Sequence, residues 1–237
     1  SDHLLVTLGD SWTWGQALDN RLAEVYGHLV SRRFGWDWLN LGQPGASNFV
    51  IAERAEELGK IIPKLDYKEI TVICVFTEVG RGFNSHHDLH IDYNSWMQNN
   101  LQQASDFDLF LEMINRNCAD RIVAALGQAV LFGSNFVHHL GLPPAQTFPQ
   151  TWFEVLGLHS ESKVYAGTTG TTKLQQVAQF VPQHQQQLFK TWFVDAVDRS
   201  HTADRIAASF GPGRIHPTAQ QQKIWADYVI NYLENNG

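Results

Sequence analysis

Three short stretches of this 237-residue chain carry side chains suited to nucleophilic chemistry. Residues 9–12 read Gly-Asp-Ser-Trp, directly after an apolar run. Residues 42–48 read Gly-Gln-Pro-Gly-Ala-Ser-Asn, a turn built of small residues, and residues 215–217 read Ile-His-Pro. A serine hydroxyl is a poor nucleophile until an imidazole accepts its proton during attack. Ser11 and His216 therefore matter chemically only if the fold carries them to one edge. Each also has a plainer role: Ser11 as a helix cap after a strand, His216 as one of eleven histidines, standing before a Pro-started helix. Gly42 and Gly45 can equally be turn residues, and for Gly42 that role is preferred.

The elements that must position these groups are legible as two alternating patterns. The runs at 3–9, 36–42, 69–78 and 128–134 are short, apolar and rich in strand formers. Between them lie longer amphipathic stretches at 20–34, at 48–62 behind a Ser47 cap, and at 106–126. A last helix follows Pro217, with Ile224, Trp225, Tyr228, Val229, Tyr232 and Leu233 marking its apolar face. Short buried strands alternating with helices predict a single α/β domain over residues 1–237, with a parallel sheet covered on both sides. Ligands of such sheets bind beyond the carboxyl ends of the strands, which is where the first run delivers Ser11. Two stretches, 80–104 and 134–170, exceed ordinary connections and read either as substrate-facing insertions or as surface elaboration. The glutamine-rich stretch 173–189 keeps an amphipathic helical spacing with a solvated face.

Taken together, "GDSW" at 9–12, "NLGQPGASN" at 40–48, "FTEVGR" at 76–81 and "IHP" at 215–217 resemble the SGNH (GDSL-type) hydrolase family. The resemblance runs from the first strand to the last helix. It implies a flavodoxin-like three-layer α/β/α sandwich with about five parallel strands. It implies Ser11 as nucleophile and His216 as general base. The backbone N–H groups of Ser11 and Gly45 would be oxyanion donors, with Arg81 or Asn84 reaching in from the loop after the third strand. Asp10 would be structural, holding the tight turn, and Trp12 and Trp14 would be core residues or walls of a cleft. The implied activity is that of a serine esterase forming an acyl-enzyme, with small acyl groups such as acetyl on carbohydrate as the favoured substrate. No metal or organic cofactor is implied. An unperturbed imidazole loses its proton near about pH 6.5, so activity is expected to rise through that range.

Two positions depart from the family pattern. The third block carries Thr77-Glu78-Val79 where the family has an Asn donor, and an ionised Glu78 only accepts hydrogen bonds. The acid usually three residues before the histidine is Gly213. Either a Ser-His dyad operates, or Asp195, Asp198 or Asp204 supplies the carboxylate from a distance. These departures motivate a second reading, a catalytically weakened carbohydrate-binding or structural module.

Other features narrow the field. A formal charge of −7 without any basic patch argues against nucleic acid or anionic membrane as partner. No apolar run approaches the roughly 20 residues of a membrane span. The opening run reads as a strand rather than a signal peptide, which favours a cytoplasmic location. Cys74 and Cys118 fall in strand-like and helix-like runs and are expected as free core thiols. "HHDLHID" at 86–92 offers His86, His90 and Asp92 to a metal, but its composition reads as loop, and no metal site is expected.

Overall fold

The four apolar runs form four strands of one sheet: β1 (His3–Leu8), β2 (Asp37–Asn40), β3 (Glu69–Phe76) and β4 (Val130–Ser134). They lie in the order β2-β1-β3-β4, and every pair is parallel. The computed structural model describes residues 1–77, 107–135, 141–157 and 216–236. The order is that of the first four strands of the doubly wound 2-1-3-4-5 arrangement, so the flavodoxin-like expectation holds, with four of about five strands among the described residues. Beyond β4, Thr147 forms an isolated parallel bridge to Phe132, and the Phe148 N–H donates to the Phe132 carbonyl at 2.8 Å. That segment covers the outer edge of β4.

Seven helices accompany the described strands: α1 (Ser11–Trp14), α2 (Arg21–Glu24), α3 (Tyr26–Phe34), α4 (Asn48–Ile61), α5 (Phe107–Leu126), α6 (Trp152–Val155) and α7 (Ala219–Asn236). Parallel crossovers are right-handed. With β2 and β3 on opposite sides of β1, that rule puts α3 on one face and α4 and α5 on the other. The contacts agree, since α3 packs on α7 and α4 packs on α5. A bidentate pair from Arg121 to Glu56, at 2.7 and 2.9 Å, joins α4 to α5.

β1 is buried along nearly its whole length, as a central parallel strand must be, whereas β2 alternates exposed and half-buried residues. Leu5, Val6, Leu8, Val72, Ile73, Val75 and Phe76 fill the two sides of the sheet. On the α7 side the core is aromatic: Trp152 and Trp225 stack with centroids 5.2 Å apart, and Tyr26 meets Trp152 edge-on at 5.3 Å.

Three expectations change. The 20–34 pattern is two helices, because Val25 is extended (φ −70°, ψ 142°) and separates α2 from α3. The last helix begins at Ala219 rather than at Pro217. Thr218 caps it, its hydroxyl accepting from Gln221 N at 3.3 Å while the Gln221 side chain accepts from Thr218 N at 2.8 Å. Within the 134–170 stretch, residues 141–157 bury Phe148, Trp152 and Phe153, so this part closes the core instead of standing out from it. The 80–104 stretch and the 173–189 helix lie outside the described residues. No helix among the described residues is long and apolar enough to cross a membrane.

Candidate active site

The strand order reverses between β1 and β3, where crossovers leave toward opposite faces and a crevice opens. Ser11 stands there. After Leu8 the chain turns through Gly9 and Asp10 into α1, a single helical turn with Ser11 as its first residue. Asp10 caps that turn, its carboxylate accepting from Trp12 N at 2.9 Å. The turn closes at Gly15, in the left-handed conformation at φ +82°.

Asp10 is also the hub of a buried polar network, with no solvent exposure of its own. One carboxylate oxygen accepts from the Asn135 amide at 3.1 Å, at the end of β4. The other accepts from the Thr77 hydroxyl at 2.8 Å, at the end of β3. A buried carboxylate is tolerable only when such donors replace water. The result ties three strand ends to the residue before the serine.

The loop after β2 is fixed against the same turn. The Asn40 amide donates to the Thr13 carbonyl at 3.1 Å and its oxygen accepts from Gly42 N at 2.9 Å, while Gln43 N donates to the Gly9 carbonyl at 2.9 Å. The two glycines of this loop have different reasons. A Cβ on Gly42 would come within 2.6 Å of Trp14 N, so close approach of two backbones, not a left-handed turn, excludes a side chain there. Gly45 has φ +77° and open space where a Cβ would be, so its conformation is what favours glycine. Ser47 caps α4, its hydroxyl accepting from Val50 N at 3.3 Å. The N–H groups of Ser11 and Gly45 donate to no described residue.

His216 is half-buried and lies two residues before the Thr218 cap of α7. Gln222 docks that helix onto the serine turn. This fully buried side chain donates to the Trp12 carbonyl at 2.9 Å and accepts from Tyr26 N at 3.0 Å. Val25 precedes α3 and has no side chain able to cap it, so the cap of α3 arrives from a residue 196 positions away. The Ser11 hydroxyl makes no hydrogen bond with a described residue, His216 included.

Tyr26 lies under the turn, and burial pushes its phenol far above the ordinary range, so it stays protonated. Trp12 is buried and meets Trp152 edge-on at 5.4 Å, as part of the core. Trp14 is half-buried, with the Arg21 guanidinium 3.8 Å above its ring. Arg81, Glu78, Asn84, Gly213, Asp195, Asp198 and Asp204 lie outside the described residues, as do His86, His90 and Asp92. Among the described residues no group of three or more His, Cys, Asp or Glu side chains is arranged to hold a metal.

The sequence pattern does not single out Asn48, Asn135 or Gln222, and it marks Thr77 only as one of the positions where the usual Asn donor is absent. Gln222 had a signal: it shares the buried stripe of Trp225, Ala226 and Val229 at helical spacing.

No family model matches the chain, and no curated protein matches it. Among solved structures it is similar to a lipolytic protein of the G-D-S-L family from Veillonella parvula, at 9% identity over 98% of each chain and a TM-score of 0.45. It is also similar to a lipase/acylhydrolase from Enterococcus faecalis, at 13% identity over 98% of this chain and 96% of that one, with a TM-score of 0.41. A third is the psychrotrophic esterase EstA from a Pseudoalteromonas species, at 10% identity over 99% of this chain and 98% of that one, with a TM-score of 0.43.

Proposed function

We propose that this chain is a serine esterase. The Ser11 hydroxyl attacks an ester carbonyl carbon, its proton passing to His216 as the C–O bond to serine forms. The tetrahedral oxyanion collapses with cleavage of the ester C–O bond, and His216 returns the proton to the departing alcohol. Water then attacks the acyl-serine with His216 again as base, releasing the carboxylic acid and free Ser11. The oxyanion is held by the N–H groups of Ser11 and Gly45, with Arg81 from the loop after β3 as a further donor. The favoured substrate is a small acyl ester, acetyl above all, on carbohydrate. The reaction needs no cofactor.

One observation carries the reading. Gln222 anchors the helix that follows His216 directly to the turn that begins with Ser11. The uncommitted N–H groups of Ser11 and Gly45 supply donors with no competing partner among the described residues. Hydrolysis of p-nitrophenyl acetate by the native chain and by Ser11→Ala tests it: activity should vanish in the variant while circular dichroism is unchanged. Undiminished hydrolysis by a folded Ser11→Ala removes this serine from the mechanism.

A second reading, a catalytically weakened module that binds carbohydrate, draws on Gly213 in place of the usual acid and on Thr77-Glu78-Val79 in place of the usual Asn donor. It predicts saturable binding of acetylated oligosaccharide with no turnover, measurable by calorimetry.

A further inference from the structure

We infer that Thr77 and Asn48 are positioning residues that hold the two backbone oxyanion donors in one fixed geometry; the inference rests on the esterase reading of this site. The donors come from separate elements. Ser11 N–H belongs to the turn after β1, and Gly45 N–H to the loop after β2. Two donors aimed at one oxygen must keep their separation to within about half an ångström, and neither element alone supplies that.

A buried chain of hydrogen bonds runs from Asp10, beside Ser11, to Asn48, three residues past Gly45. Asp10, adjacent to Ser11, accepts from the Thr77 hydroxyl at 2.8 Å. Thr77 is the first residue past β3, and both of its backbone groups are taken by one side chain. Its N–H donates to Asn48 Oδ1 at 3.0 Å, and its carbonyl accepts from Asn48 Nδ2 at 3.3 Å. The Asn48 amide thus stands where the peptide of a neighbouring strand would stand, extending the ladder one step past the end of the sheet. Its other N–H donates to Asn115 Oδ1 on α5 at 2.9 Å, which fixes the orientation of the amide. Asn48 follows Gly45 by three residues and opens α4, so a shift of the amide moves the glycine loop. Asp10, Thr77 and Asn48 are exposed by 0%, 1% and 2%, so water does not compete for these bonds. With both its N–H groups committed, Asn48 is not itself an oxyanion donor.

Thr77→Val keeps the shape and removes the hydroxyl, and Thr77→Ser restores it. Kinetics with p-nitrophenyl acetate should show kcat lower by about tenfold to a hundredfold in Thr77→Val, with KM within about twofold. Thr77→Ser should recover kcat to within about threefold of the native chain. Amide NMR should show the Ser11 and Gly45 resonances moving together in Thr77→Val, since the two are coupled through Asn48. A folded Thr77→Val with native kcat, or a Gly45 amide that stays in place, overturns the inference. If Thr77→Val does not fold, Asn115→Ala, one bond further out, must still shift the Gly45 amide. If the native chain hydrolyses no ester, the esterase reading fails separately, and the amide shifts alone then decide the positioning role.

Discussion

Removing the Gln222 amide tests how the two ends of the chain are joined. In Gln222→Leu, Tyr26 N–H loses its only acceptor among the described residues and α3 loses its cap. An unsatisfied buried donor costs about 1–3 kcal/mol, and loss of a helix cap typically about 1 kcal/mol, which describes the same bond. The Trp12 carbonyl keeps a bond from Gly15 N at 3.3 Å, so its loss is nearer the ordinary net value of about 1 kcal/mol. The sum is about 2–4 kcal/mol, a large share of the 5–15 kcal/mol that stabilises a typical domain. Urea unfolding should show that loss, and esterase kcat should fall by about tenfold as the segment bearing His216 loosens from the serine turn. Gln222→Glu sharpens the test. Its carboxylate can still accept from Tyr26 but cannot donate to Trp12 unless protonated, so its folded pKa lies above the roughly 4.3 of an unfolded glutamate. The folded form then binds more protons than the unfolded one, and the deficit relative to the native chain is smallest below about pH 4.3 and grows as pH rises. A Gln222→Leu chain within about 0.5 kcal/mol of native stability, with undiminished kcat, refutes the docking argument.

Other expectations follow from single contacts. The Arg121 guanidinium holds the Glu56 carboxyl below its ordinary value of 4.5, so the pair contributes above that pH and is lost as pH falls through the lower, folded value. Because both side chains are roughly a third exposed, Glu56→Gln should cost only about 0.5–1 kcal/mol at pH 7, with the gap in thermal unfolding closing toward pH 3. Gly42→Ala puts a methyl against the α1 backbone, which should cost about 1–3 kcal/mol in urea unfolding and depress kcat. Burial pushes the Cys118 thiol up to about 12 and raises the Cys74 thiol well above its ordinary range, so neither should react with a disulfide reagent at pH 8 until guanidinium unfolds the chain.

The fold was readable because its signals are local and repeated. Each strand is a short apolar run, and each crossover has helical spacing long enough to register. The break at Val25 was hidden because Leu22, Val25, Tyr26 and Leu29 keep helical spacing across it, and the cap that starts α3 comes from Gln222. Ser11 and Gly45 stood out through their neighbours along the chain. The buried network did not, because Asn48, Thr77 and Asn135 become partners of Asp10 and of one another only when three strand ends converge. Gln222 was masked by its own surroundings. Of the run Gln220-Gln221-Gln222, the first is exposed, the second completes the Thr218 cap and the third is buried. Trp12 reads from sequence as core or as a cleft wall, and the one-turn helix sends it inward onto Trp152.

The central claim is that Ser11 is a nucleophile activated by His216. Labelling with a fluorophosphonate, read by intact mass and peptide mapping, tests it most directly. A single adduct on Ser11 is expected, absent in Ser11→Ala and strongly slowed in His216→Ala. A folded native chain that takes no label, or takes it on another residue, contradicts it.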